Sequence, residues 1–206
     1  MADERILILG IGNILWADEG FGVRTVEHLD ATYAFPDTVS LLDGGTQGLY
    51  LLPHLEDADT VIILDAVDYG LPPATLHVVR DEDVPVALSA RKVSLHQTGF
   101  QEVLALLRLR GRAPRRLVLV GVQPHTLDDY GGGLTEGVAA QVAPAADHVV
   151  GLLRAEFNVD PRPRAASAPD ILAPAVTRAA YEAGRPSAEE ACRIGDARVL
   201  ARGAGA

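Results

Sequence analysis

Residues 5–24 read RILILGIGNILWADEGFGVR, and the order of features within them decides the fold. Arg5 to Ile11 is a short, near-continuous apolar run with no polar alternation, the pattern of a strand buried on both faces. It ends on Gly10 and Gly12. From Gly20 to Leu29 the apolar residues Phe21, Val23, Val26 and Leu29 fall near helical spacing, with Arg24 and Glu27 between them, so a helix follows. Strand, glycine turn and helix in that order point to a parallel α/β sheet.

Working outward, the alternation continues. Thr38 to Leu42 reads as a strand running into the glycine turn Asp43-Gly44-Gly45-Thr46, and Leu49 to Leu55 can start a helix, with Pro53 near one end. Thr60 to Leu64 (TVIIL) is the most β-branched run of the chain and stops at Asp65. Thr75 to Arg80 alternates and has no room for a crossover helix before it, which makes it an antiparallel edge strand. Gln97 to Leu109 is an amphipathic helix, Arg116 to Val122 another buried strand, and Leu134 to Phe157 a last long helix that Pro144 kinks or splits. The expected architecture is a three-layer α/β domain over residues 1–159, a twisted, mostly parallel sheet of about five strands with helices on both faces. From Asp160 the composition changes to prolines (161, 163, 169 and 174) among alanines and arginines with no apolar period. Residues 160–206 therefore read as a flexible C-terminal tail, with one capped turn of helix at Ser187 to Ile194.

The 206 residues carry 18 Lys+Arg against 28 Asp+Glu, a net charge of −10. That sign excludes attraction to nucleic acid or anionic lipid. The single cysteine, Cys192, rules out an intramolecular disulfide and a cysteine-rich zinc site, and suits a reducing compartment. Met1-Ala2-Asp3-Glu4 is acidic where a secretory signal is basic, and no apolar run approaches the ~20 residues of a membrane span. A cytoplasmic monomer is expected.

In open α/β sheets the loops at the carboxyl ends of the strands face a common crevice. That rule selects Asp18 and Glu19 after the first strand, Asp65 at the end of the third, and His96 in the loop before the third helix. If the first and third strands are neighbours, Glu19 and Asp65 reach one cleft. Two carboxylates and an imidazole from separate loops can bind a divalent ion of nickel or zinc type and leave coordination positions open. Each residue also has an ordinary reading. Asp18 and Glu19 can be charges at a helix N-terminus, worth ~0.3–1 kcal/mol; Asp65 can be a satisfied strand-end carboxylate, and His96 a surface residue at a helix start. Gly10-Ile11-Gly12 lacks the third glycine of a dinucleotide fingerprint, Leu15 standing in its place. Asp43-Gly44-Gly45-Thr46 lacks the lysine of a phosphate loop, and its glycines leave an open groove where another chain can lie. His28, His54, His77, His125 and His148 read as surface or core residues. Trp16 and Phe21, flanking the acidic pair, read equally as packing or as substrate contacts.

Four motifs in this order and spacing are more specific: GIGNILWADEGFGVR (10–24), LLDGGTQG (41–48), ILDAVDYG (63–70) and SLHQTG (94–99). Over residues 5–157 the chain resembles the nickel-iron hydrogenase maturation endopeptidases. The resemblance implies a twisted, mostly parallel sheet between helices and a hydrolase, of aspartic or metal-dependent type, that removes the C-terminal extension of the hydrogenase large-subunit precursor once nickel is inserted. It places the metal contacts on Glu19, Asp65 and His96, with the nickel carried by the precursor. It also implies Asp43 as a proton acceptor and Asn13, Asp18, Gly44 and Gly45 along the substrate groove. Two other classes remain open: a zinc-dependent hydrolase with a permanent metal, and a non-catalytic nickel-sensing chaperone.

Overall fold

A computed structural model describes residues 4–89, 95–127, 129–164 and 171–185, with the backbone alone at 89 and 95–99. Its elements in chain order are β1 (Ile6–Ile11), α1 (Phe21–Thr32), β2 (Tyr33–Ala34), β3 (Val39–Gly45), α2 (Leu52–Glu56), β4 (Thr60–Ala66) and β5 (Leu76–Arg80). There follow α3 (Asp83–Ser89), α4 (Leu95–Leu109), β6 (Arg116–Val122), α5 (Glu136–Ala139), α6 (Val142–Phe157), β7 (Arg162–Pro163) and α7 (Arg178–Gly184). Five strands form one sheet in the order β3-β1-β4-β6-β5. All pairs are parallel except β5 on β6, as its short connection requires.

The unbroken apolar strands are explained by two cores, one on each face. Ile6 and Ile8 of β1, Ile62 and Leu64 of β4 and Val118 and Val120 of β6 pack with α1 and α6. Leu7, Leu9, Val61, Ile63 and Leu119 point the other way, against α2, α3 and α4. Every residue of β1 and β4 is buried. Each large aliphatic side chain so removed from water contributes about 1.5–3 kcal/mol. The first helix lies directly on the sheet: a Cβ at Gly22 would sit 2.1 Å from the Leu64 carbonyl oxygen and 2.3 Å from that of Ile11. No other residue fits there. Gly12, at φ +133°, lets the chain turn from β1 under the Glu19 carbonyl, 1.8 Å from where a Cβ would stand.

Three expectations are corrected. The helix expected over 134–157 is two helices, α5 and α6, broken at Ala140–Gln141. Pro144 is the third residue of α6, where no N–H is owed to a preceding turn, so it starts that helix instead of kinking it. The link between β5 and α4 holds a short helix, α3, which the sequence reading passed over.

The tail is the third. Residues 160–164 and 171–185 dock. β7 pairs antiparallel with β2, and the Arg164 amide donates to the Thr32 carbonyl at 2.7 Å. The Arg164 guanidinium donates to the Asp30 carbonyl at 2.9 Å and the Ile171 amide to Asp30 Oδ2 at 3.0 Å. Farther on, buried Arg24 donates to the Val176 carbonyl at 2.7 Å and to Glu27 Oε2 at 2.8 Å. Glu27 Oε1 accepts the Arg178 amide at 2.8 Å, and the Tyr181 ring lies 5.6 Å from the Arg24 guanidinium carbon. These anchors are charges and backbone groups, which leave no apolar period to be read. Cys192 and the capped turn expected at Ser187–Ile194 lie outside the described residues. No helix among the described residues is long and apolar enough to cross a membrane.

Candidate functional site

The crevice forms over the carboxyl ends of β1, β3, β4 and β6. After β1 the chain makes a tight turn, Asn13 Oδ1 accepting the Leu15 amide at 3.0 Å, then runs through a single 3-10 turn, Ala17–Gly20, into α1. Asn13 is half-buried in this loop. Asp18, expected along the groove, points inward and is fully buried. Its Oδ2 accepts the His125 and Thr126 amides at 2.9 and 3.0 Å, and its Oδ1 the Thr135 amide at 2.7 Å, with the Thr135 hydroxyl 3.0–3.1 Å from both oxygens. The Ala17 amide donates to Gly132 O, the Gly131 amide donates to Leu15 O, and the Trp16 and Tyr130 rings meet edge-on at 5.3 Å. Asp18 is therefore a clamp that fastens the loop after β1 to the loop after β6.

That clamp aims its neighbour. Glu19 is half-buried in the 3-10 turn, which packs against β4. Asp65, near the end of β4, is 1% exposed. β1 and β4 are adjacent, with Gly10 level with Leu64, so the loop that carries Glu19 and the end of β4 that carries Asp65 lie side by side. By strand alternation Asp65 follows Val61 and Ile63 onto the α4 side of the sheet. His96 is the second residue of α4 rather than a loop residue, and its side chain lies outside the described residues. Among the described side chains no three His, Cys, Asp or Glu groups form a cluster able to hold a metal, so a three-donor site here has to draw on a further residue such as His96.

The DGG turn stands beside this pair. Asp43 Oδ1 accepts the Gly45 amide at 2.9 Å, Gly45 sits at φ +47°, and the Gly45 carbonyl accepts the Gly12 amide at 2.9 Å. Gly44 faces the α4 side, where a Cβ would stand 2.7 Å from Leu9 Cδ1. Asp43, one residue earlier, therefore leaves the sheet on the α1 side, opposite to Asp65. Burial raises its proton affinity above the ordinary carboxylate range, while the Gly45 amide and the Arg24 charge oppose the rise. A substrate touching both Asp43 and Asp65 has to pass over the crest of the sheet.

One group was missed by the sequence reading. In the register across β4, β6 and β5, Asp65 stands opposite Gly121, and Gly121 opposite His77. The space above Gly121 is filled by the Tyr69 hydroxyl, 2.6 Å from where a Cβ would be. The Tyr69 ring meets His77 edge-on at 4.9 Å, and Gln123 Oε1 holds the Tyr69 and Leu71 amides at 2.8 and 3.1 Å. The hydroxyl is buried without a hydrogen-bond partner among the described residues. Burial, then the nearby Asp65 charge, push its pKa well above that of a free phenol, so it stays protonated. The signal was available: an isolated glycine inside a strand, as in RLVLVGV, marks a close approach. Because a buried, unpaired polar group is destabilising by about 1–3 kcal/mol, Tyr69→Phe is expected to raise the melting temperature by a few degrees. Calorimetry reads this, and a fall would show that the hydroxyl is satisfied.

A cavity of about 720 Å³ lined by Glu4, Phe35, Phe157 and Arg162 opens at the amino ends of the strands, away from this crevice.

A family model described as hydrogenase maturation protease matches residues 23–152. The chain is 54% identical to the hydrogenase expression/formation protein HupD of Rhodobacter capsulatus, over 96% of this chain and 93% of that protein. It is 47% identical to the hydrogenase 2 maturation protease of Escherichia coli, over 79% of this chain and 98% of that one. The solved structure of the hydrogenase maturating endopeptidase HybD from E. coli superposes with a TM-score of 0.74 at 45% identity, covering 79% of this chain and 99% of that chain.

Proposed function

The chain belongs to the hydrogenase maturation protease family, and from that membership we propose that it removes the C-terminal extension of a nickel-iron hydrogenase large-subunit precursor after nickel insertion. The observation that supports the reading is the packing of the 3-10 turn that holds Glu19 against β4, which carries Asp65 near its end, with His96 at the start of a helix on the Asp65 face. These three residues contact the nickel that the precursor brings, so the metal is part of the substrate. Two carboxylates and an imidazole are a fitting donor set for such an ion, and they leave positions for the precursor's own ligands. An ion held there polarises a carbonyl or activates a water. Asp43, with its proton affinity raised by burial, is the proposed proton acceptor, reached over the crest from the α1 side. Gly45 and Asn13 leave the rim low enough for an extended peptide, while buried Gly44 brings the strand end close against Leu9 beneath it. The reading places the reaction in the cytoplasm and assigns it to a monomer.

Mass spectrometry of a large-subunit precursor, nickel-loaded and nickel-free, after incubation with the protein tests this. Loss of a C-terminal peptide from the loaded form alone is expected. Cleavage regardless of nickel would favour a hydrolase with its own zinc, and binding without cleavage a nickel-sensing chaperone.

A further inference from the structure

Beyond the crevice, the C-terminal arm, residues 171–185, has no role in the chemistry described so far. Residues 161–206 contain seven arginines against five Asp+Glu, net +2, which leaves −12 on residues 1–160. The described part of the arm is seated on α1, the helix that begins at the crevice. Its hold is Arg24, which joins the Val176 carbonyl to Glu27, and Glu27, which accepts the Arg178 amide. Both lie on the α1 side of the sheet, and their charges act on Asp43.

At its far end the arm reaches the site loops. A Cβ at Gly133 would lie 2.9 Å from Arg185 Nη1 and 3.5 Å from Glu182 Oε1. The adjacent Gly132 carbonyl accepts the Ala17 amide, two residues before Glu19. The arm thus continues the wall that begins with the loop after β1 and passes through residues 130–133.

This wall exposes several large apolar side chains. Leu15, Trp16, Tyr130 and Val176 are among the exposed large hydrophobic residues, as are Leu49 and Tyr50 just beyond the DGG turn. Aromatic and aliphatic groups exposed together around one crevice mark a protein-binding rim rather than a small-molecule pocket. Relatives differ in how much of this chain they span. The E. coli hydrogenase 2 maturation protease accounts for 98% of itself within 79% of this chain, whereas the HupD protein of R. capsulatus extends over 96% of it.

Resting on the protease reading above, we propose that the arm is a docking wall for the precursor. Val176 and the exposed face of α7 extend the Trp16–Tyr130 rim and receive an apolar surface of the large subunit beside its C-terminal extension. The occupant is a folded protein whose processed end lies in the crevice, which is why the added surface borders the site on the α1 side.

The test is steady-state processing of the nickel-loaded precursor by full-length Val176→Asp and Ala179→Asp, with melting temperatures measured alongside. Val176 and Ala179 are exposed, and Val176 anchors through its backbone carbonyl, which the substitution keeps. Each variant is expected to raise KM about tenfold or more with kcat and melting temperature unchanged, the signature of lost uniform binding. Unchanged KM in both variants, with normal wild-type cleavage, would overturn the docking wall alone. A parallel fall in activity and melting temperature would overturn it in favour of a structural strap. Absence of cleavage by the wild-type protein would instead overturn the protease reading on which it rests.

Discussion

Asp18→Ala is expected to destabilise the protein by about 3–5 kcal/mol, the range for breaking a buried charged network by removing one partner. The carboxylate is fully buried and accepts three backbone amides and the Thr135 hydroxyl. Alanine would leave those donors without an acceptor, each at about 1–3 kcal/mol before relaxation. Against a typical total of about 5–15 kcal/mol, this threatens the folded state itself. Asp18→Asn retains one acceptor oxygen but turns an NH₂ toward amides, so it is expected to fall between wild type and alanine. Urea or guanidinium unfolding measures both. A loss below about 1 kcal/mol in the alanine variant would mean that water replaces the carboxylate and that the two loops are not held by it.

One residue later the expectation reverses. Glu19→Gln keeps the size of the side chain and one of its acceptor oxygens, so the unfolding free energy is expected to stay within about 1 kcal/mol of wild type. Processing of the nickel-loaded precursor is expected to fall by more than about a hundredfold, beyond the 10–100-fold typical when only a supporting partner of a metal ligand is lost. A time course of the released C-terminal peptide, read by mass spectrometry beside a melting curve, separates the two effects. Cleavage at the wild-type rate would remove Glu19 from the set of nickel contacts. On the expected outcome, adjacent acidic residues are told apart by their burial: one holds the loop, the other faces the metal.

The sheet was legible because its evidence is local. Runs such as ILILGI and TVIIL are too apolar for a solvated face; the first ends with its strand and the second two residues before its strand does. Adjacency of β1 and β4 followed from the usual order of such sheets, and with it the nearness of the Glu19 loop to the strand that carries Asp65. The role of Asp18 was not legible, because an acidic residue before a helix reads as a local charge, while its true partners come from the loop after β6. Asp43 was named by its motif, but the face it takes was not legible: β3 slips register against β1 between Asp43 and Gly45, so that face follows from pairing. The arm escaped because carbonyls and amides, which every residue possesses, supply most of its anchors.

The clamp at Asp18 also sets an order in time. Its donors, at His125, Thr126 and Thr135, lie 107, 108 and 117 residues downstream. A growing polypeptide has long since produced Glu19 and Asp65 before any of these amides leaves the ribosome. Until then the loop after β1 lacks the hold of Asp18, and bringing such distant segments together is the slow part of folding. A partly made chain can therefore own both carboxylates without presenting them, and its capacity to act on another protein arrives only as its own synthesis nears the end.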